Sequence, residues 1–190
     1  MSLITTTAVR ARARQGIPYN FSAASVLTER MQKQTAVAGH DIFLSHAFDD
    51  KELILGVALT LEDLGYTVYL DWRDDPALDR KNVNRSTALK LRERMRNAKC
   101  LFFATTDNTS GSRWMPWELG FKDGQSNRAA ILPVQDIRAD NYKGQEYLGI
   151  YPYITQQRSD KGEEKLWVRW SATCYVVFDA WLTGTEPYER

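Results

Sequence analysis

The chain of 190 residues is 43% hydrophobic and 26% charged, within the range of one globular domain. A net charge of +1 excludes partners chosen by bulk positive charge, so neither nucleic acid nor a membrane surface is expected. Two histidines and two cysteines (Cys100 and Cys174) leave no basis for a multi-histidine metal site or a disulfide framework, whereas six tryptophans and nine tyrosines are a heavy load of flat rings.

No stretch approaches the ~18–20 apolar residues of a membrane span, and a cytoplasmic protein is expected. The first 28 residues lack Asp and Glu and carry Arg10, Arg12 and Arg14, which reads as a mobile basic tail in preference to a targeting peptide. Residues 22–34 follow with Ala24, Leu27 and Met31 at helical spacing and Ser22 as N-cap. Residues 1–38 are thus expected to form a tail and helix ahead of a domain at 39–190. That domain opens with a strand at 40–45. Leu53, Ile54, Val57, Leu61 and Leu64 then mark a helix over 50–64, closed by Gly65.

A second strand is expected at 66–70. A charged loop, 71–82, holds Asp71, Asp74, Asp75 and Asp79 among Arg73, Arg80 and Lys81. It lacks the spacing and glycine of a calcium loop, and reads as solvated and internally neutralised. A helix over 83–97, an unbroken apolar strand at 99–105, a short helix at 114–122 and a strand at 129–134 come next. Leu166, Trp170, Cys174, Val177, Phe178 and Trp181 predict a last helix over 163–182. Such alternation predicts an α/β, flavodoxin-like three-layer sandwich with a central parallel sheet, behind an N-terminal helical extension. Ligands then bind beyond the carboxyl ends of the strands, at Ser45-His46, Asp71-Trp72 and residues 105–117.

A dinucleotide fingerprint, a P-loop and a nucleophile elbow are all absent from the sequence. A phosphoacceptor receiver would need an acceptor Asp closing the third strand, which closes instead with Ala104-Thr105-Thr106. Two segments are more specific. Asp41-Ile42-Phe43-Leu44-Ser45-His46-Ala47-Phe48-Asp49-Asp50-Lys51 resembles the opening motif of Toll/interleukin-1 receptor (TIR) domains, especially bacterial ones. Ser112-Arg113-Trp114-Met115-Pro116-Trp117-Glu118-Leu119-Gly120 resembles the family segment in which a Glu four residues after a Trp is catalytic in NAD-cleaving members. Their order, with Gly65 to Asp71 matching the second strand between them, carries the resemblance over roughly residues 39–134. One departure is the absence of glycine from Asp71 to Asn82, which stiffens the loop that family members often build on Pro-Gly.

The resemblance implies an NAD+ nucleosidase or cyclase releasing nicotinamide and an ADP-ribose or cyclic ADP-ribose isomer. NAD+ is then substrate, with no cofactor. It also implies a homo-oligomer and a bacterial antiphage role of the Thoeris type, in which a separate effector protein answers the nucleotide. Glu118 is the expected catalytic residue. Ser45, His46, Asp71, Trp72, Ser112, Trp114 and Trp117 are the expected substrate-binding residues, and no metal is called for. The chemistry is consistent: a pyridinium leaving group needs no strong nucleophile, only a carboxylate that holds the ribose and favours positive charge at its anomeric carbon. Two other readings share the architecture, a non-catalytic adaptor acting through TIR–TIR contacts and a nucleoside 2-deoxyribosyltransferase-like enzyme.

Overall fold

The computed structural model describes residues 3–16, 39–47, 50–75, 84–106, 109, 112–136 and 146–190. The helix expected over 22–34, together with Asp49, Pro76, Asp79, Arg80 and Lys81, lies outside the described residues.

Helix α1 (Thr6–Gly16) precedes strand β1 (His40–Ser45), helix α2 (Lys51–Asp63), strand β2 (Val68–Tyr69) and a single helical turn, α3 (Asp71–Asp74). Helix α4 (Arg85–Asn97), strand β3 (Ala98–Thr105), helix α5 (Trp114–Ser126) and strand β4 (Ala129–Pro133) complete the alternating part. A 3-10 turn (Glu146–Ile150) leads to β5 (Tyr153–Arg158), β6 (Glu164–Arg169), β7 (Cys174–Val177), α6 (Phe178–Leu182) and β8 (Tyr188–Glu189). The eight strands form one sheet in the order β2-β1-β3-β4-β5-β6-β7-β8. Pairings among β1 to β4 are parallel, as the alternation predicts; β5, which the sequence pattern does not mark, adds one more parallel pairing to β4, and the pairings from β5 to β8 are antiparallel.

Strand alternation divides the core into two layers. Ile42, Leu44, Phe102 and Ala104 face one way, onto Leu53, Ile54, Val57 and Leu61 of α2 and onto Phe178 and Trp181 of α6. Phe43, Leu101 and Phe103 face the other way, onto Leu91 and Met95 of α4 and Met115 and Leu119 of α5. Each such side chain contributes about 1.5–3 kcal/mol relative to exposure, so these two layers dominate the fold's stability.

Two expectations change. The basic N-terminal segment is docked over residues 3–16: Leu3, Ile4, Val9 and Ala13 are buried, and Ile4 bridges to Val134 just beyond β4. Thr7 donates from N and Oγ1 to Asp136, and Arg12 forks onto Asp63. Val9 and Ala13 supply a helical apolar face that the arginines between them obscure. The predicted helix over 163–182 is instead two strands, a turn and the short α6. Its apolar residues recur every four positions, and an even spacing also keeps them on one face of a strand. Leu166 and Val168 are buried two apart, and Ser171 Oγ accepts from the Thr173 and Cys174 amides to turn the chain between β6 and β7.

Candidate active site

In a parallel sheet wound in this order, the crevice opens where the strand order reverses, between the carboxyl ends of β1 and β3. Ser45 ends β1 and points to the α5 side. There its Oγ donates to Glu118 Oε2 at 2.6 Å, and both side chains are fully buried. Glu118 belongs to the inner stripe of α5 with Met115, Leu119 and Lys122. Ser112 Oγ accepts from the Met115 amide at 3.3 Å, which steadies the start of the helix that carries Glu118.

His46 has 1% of its surface exposed, and both ring nitrogens face protein groups. Nδ1 lies 2.9 Å from the Leu44 carbonyl, which can only accept, so Nδ1 carries the hydrogen. Nε2 lies 3.4 Å from Asp71 Oδ1. The end of β1 and the start of α3 thus meet at His46 and Asp71, which is itself buried.

A single turn cannot hold itself, and α3 is tied down at both ends. Asp74 Oδ2 accepts from the Leu70 amide at 2.6 Å. Asp75, buried at the end of the turn, accepts from Arg94 Nε and Nη2, from Lys90 Nζ at 2.7 Å and from the Tyr69 hydroxyl at 2.9 Å. Burial alone would raise the Asp75 carboxyl, but Arg94, Lys90 and Tyr69 together hold it below the usual range. Burial and the neighbouring Asp75 carboxylate push the Tyr69 phenol up. The charged loop is thus not internally neutralised at Asp75: its counter-charges come from α4.

The tryptophans separate. Trp72 packs on Leu55 and Leu59 of α2, with Lys51 Nζ 5.9 Å from its ring centre. Trp114 and Trp117 meet edge to face at 5.3 Å, and Trp117 stacks on Phe121 along the α4-facing flank of α5. The Arg92 guanidinium lies 5.5 Å from the Trp117 ring. Trp114, at the head of the helix, stands at the crevice end of this ladder. Among the described residues no three His, Cys, Asp or Glu side chains gather to hold a metal ion.

A family model described as a TIR domain matches residues 42–167. The chain belongs to the TIR-domain family. It is 45% identical over 165 residues, 86% of each chain, to a Bacillus cereus (strain MSX-D12) protein named a probable 3′ cyclic ADP-D-ribose synthase, ThsB′. It is also 31% identical over 83 residues to a Cytobacillus dafuensis protein provisionally named cyclic ADP-D-ribose synthase TIR2. That second match covers 43% of this chain and 22% of the relative.

Within this TIR domain, the structure brings Ser45, His46, Asp71 and Glu118 into one connected set. Trp72 turns to α2, and Trp117 is taken up by the ring ladder. Sequence reasoning placed Asp75 in a solvated loop and Thr105 at a strand end without their burial, and it missed Lys122. Lys122 is fully buried and donates to the Met95 and Ala98 carbonyls at 3.0 and 2.6 Å, which joins α5 to the end of α4. Burial lowers its amine. The one signal for it was its spacing of four from Glu118, which puts both on the inner face of a helix.

Proposed function

We propose that this TIR protein cleaves NAD+ at the nicotinamide–ribose bond and closes the ADP-ribose into a cyclic isomer, the 3′ isomer by analogy with the Bacillus cereus relative. The observation that carries the reading is Glu118: a buried carboxylate, oriented by Ser45, where the strand order reverses. As the bond to nicotinamide breaks, its electron pair leaves with the ring nitrogen and neutralises the pyridinium. The anomeric carbon becomes oxocarbenium-like, and the Glu118 carboxylate holds the adjoining ribose hydroxyls and stabilises that charge. Capture by an oxygen of the same molecule closes the ring, and capture by water gives ADP-ribose; either way the attacking oxygen gives up one proton.

Glu118 has no exposed surface, so NAD+ reaches it only after the groups covering it move. Ser45 positions the carboxylate, and Ser112, accepting from the Met115 amide, steadies the start of its helix. Asp71, facing His46, forms the wall on the α3 side, with Trp72 behind it. Trp114 and Trp117 supply ring surface at the head of α5. No cofactor is needed beyond the substrate, because the leaving group is already activated. We place the protein in the cytoplasm, as a homo-oligomer whose nucleotide product signals to a separate effector in bacterial antiphage defence.

Purified protein incubated with NAD+ is expected to release nicotinamide and a cyclic product, both quantified by liquid chromatography and mass spectrometry. Glu118→Gln should lower turnover about 10²–10³-fold, the scale of losing one preorganised electrostatic group, with the melting temperature retained. Turnover that survives this substitution removes Glu118 as the catalytic residue. A wild-type protein that never consumes NAD+ but co-purifies with another TIR protein supports the adaptor reading instead.

A further inference from the structure

Thr105 ends strand β3 and Thr106 follows it, and their side chains turn to opposite sides of the sheet. Thr106 turns to the α2 side, where its Oγ1 donates to Asp50 Oδ2. Thr105 follows the alternation of Leu101 and Phe103, whose side chains pack with Met115 and Leu119 of α5. Ser45 of the neighbouring strand leaves the sheet on that same side, where it meets Glu118. The register pairs Ser45 with Phe103, so Thr105 stands one pleat further toward the open end of the crevice.

The Thr105 backbone does ordinary sheet work, its carbonyl accepting from the Val134 amide at 3.0 Å. The side chain does not. Thr105 is 8% exposed, and its Oγ1 is buried with no hydrogen-bond partner among the described residues. A buried hydroxyl in that state is disfavoured by lost hydration, and valine fills nearly the same shape without that penalty. For stability alone, then, threonine is the wrong choice at this position. The hydroxyl lies where the strand order reverses, on the side of the sheet that carries Glu118.

We propose that Thr105 is a further substrate-binding residue, its hydroxyl taking a hydroxyl of the same ribose that Glu118 holds. The proposal rests on the NAD+-cleaving reading. A threonine hydroxyl both donates and accepts, so it matches a ribose hydroxyl in either sense. The carboxylate and the threonine together would grip the ribose from the floor and the β3 side of the crevice.

The test compares wild type with Thr105→Val and Thr105→Ser. Thr105→Val is expected to melt at or above the wild-type temperature. Its KM for NAD+ should rise about tenfold, the upper end for one neutral hydrogen bond. The kcat should change less than KM, and Thr105→Ser should restore KM. A Thr105→Val protein with wild-type KM overturns the proposal. So does one that melts lower while handling NAD+ normally, because the hydroxyl is then structural. Calorimetric binding of NAD+ to Glu118→Gln, with and without Thr105→Val, separates this proposal from the cleavage reading. Weaker binding caused by Thr105→Val sustains the proposal even if wild type does not turn NAD+ over. Equal binding, or no binding to either protein, overturns it.

Discussion

Ser45 and Glu118 share a 2.6 Å hydrogen bond with both side chains fully buried. A hydrogen bond to a charged group contributes about 1.5–3 kcal/mol, roughly a factor of ten to a hundred. Ser45→Ala is expected to lower kcat by about that factor with a smaller change in KM, read by steady-state kinetics on NAD+. Unchanged kcat would show that Ser45 does not orient the carboxylate. At this scale Ser45 and Glu118 were legible because each sits in a motif of fixed local spacing. Asp75, Thr105 and Lys122 were not, because their states depend on burial, which their neighbours in sequence do not reveal. Asp75 reads as one more acidic loop residue, yet its partners, Arg94 and Lys90, lie on the far side of a segment of charged residues.

Among the elements, the seating of α1 turns on Gly56 in the middle of α2. A Cβ at that position would clash with the Val9 carbonyl oxygen, so the helices cross backbone to backbone. Gly56→Ala raises helix propensity locally and still should destabilise, because backbone cannot yield as a flexible side chain does. We expect a loss of about 1–3 kcal/mol, seen as a lower melting temperature with faster amide exchange across residues 6–16. Unaltered exchange in that helix would contradict the close crossing. The elements α2 and α4 were readable because their apolar stripes span several turns, and β1 and β3 because their β-favouring apolar runs are too short for a helix. The segment 163–182 was misread because a spacing of four satisfies helix and strand alike; pairing with β5 decides it in favour of the sheet. The arginines of α1 drew attention from Leu3, Ile4, Val9 and Ala13, whose value appears only once the Gly56 groove and Val134 are present.

For the molecule as a whole, acid stability depends on carboxylates that the fold pairs. Burial would raise Asp41, but Lys99 and the amide and hydroxyl of Thr67 hold it below its ordinary value. Asp75 is lowered in the same way by its α4 cations and Tyr69. A carboxyl whose folded value is depressed binds fewer protons folded than unfolded. Its stabilisation is therefore complete above the unfolded value of about 3.9 and is lost as pH falls through the lower folded value. Melting curves from neutral pH downward are expected to be level to about pH 5 and to fall below about pH 4, and Asp75→Asn should flatten that fall. An acid profile that Asp75→Asn leaves unchanged removes Asp75 from this role.

The sequence by itself determined the alternating α/β order and the four parallel strands β1 to β4, and the family resemblance of two motifs pointed to Ser45 and Glu118. The order and the parallel strands are set by periodicity and by contacts close along the chain. Only the tertiary structure decided which charges are buried, that residues 3–16 belong to the core, and that the sheet continues antiparallel through β8. It also showed a hydroxyl at Thr105 without a partner among the described residues. Burial and pairing are properties of surfaces brought together from distant parts of the chain. No local pattern carries them.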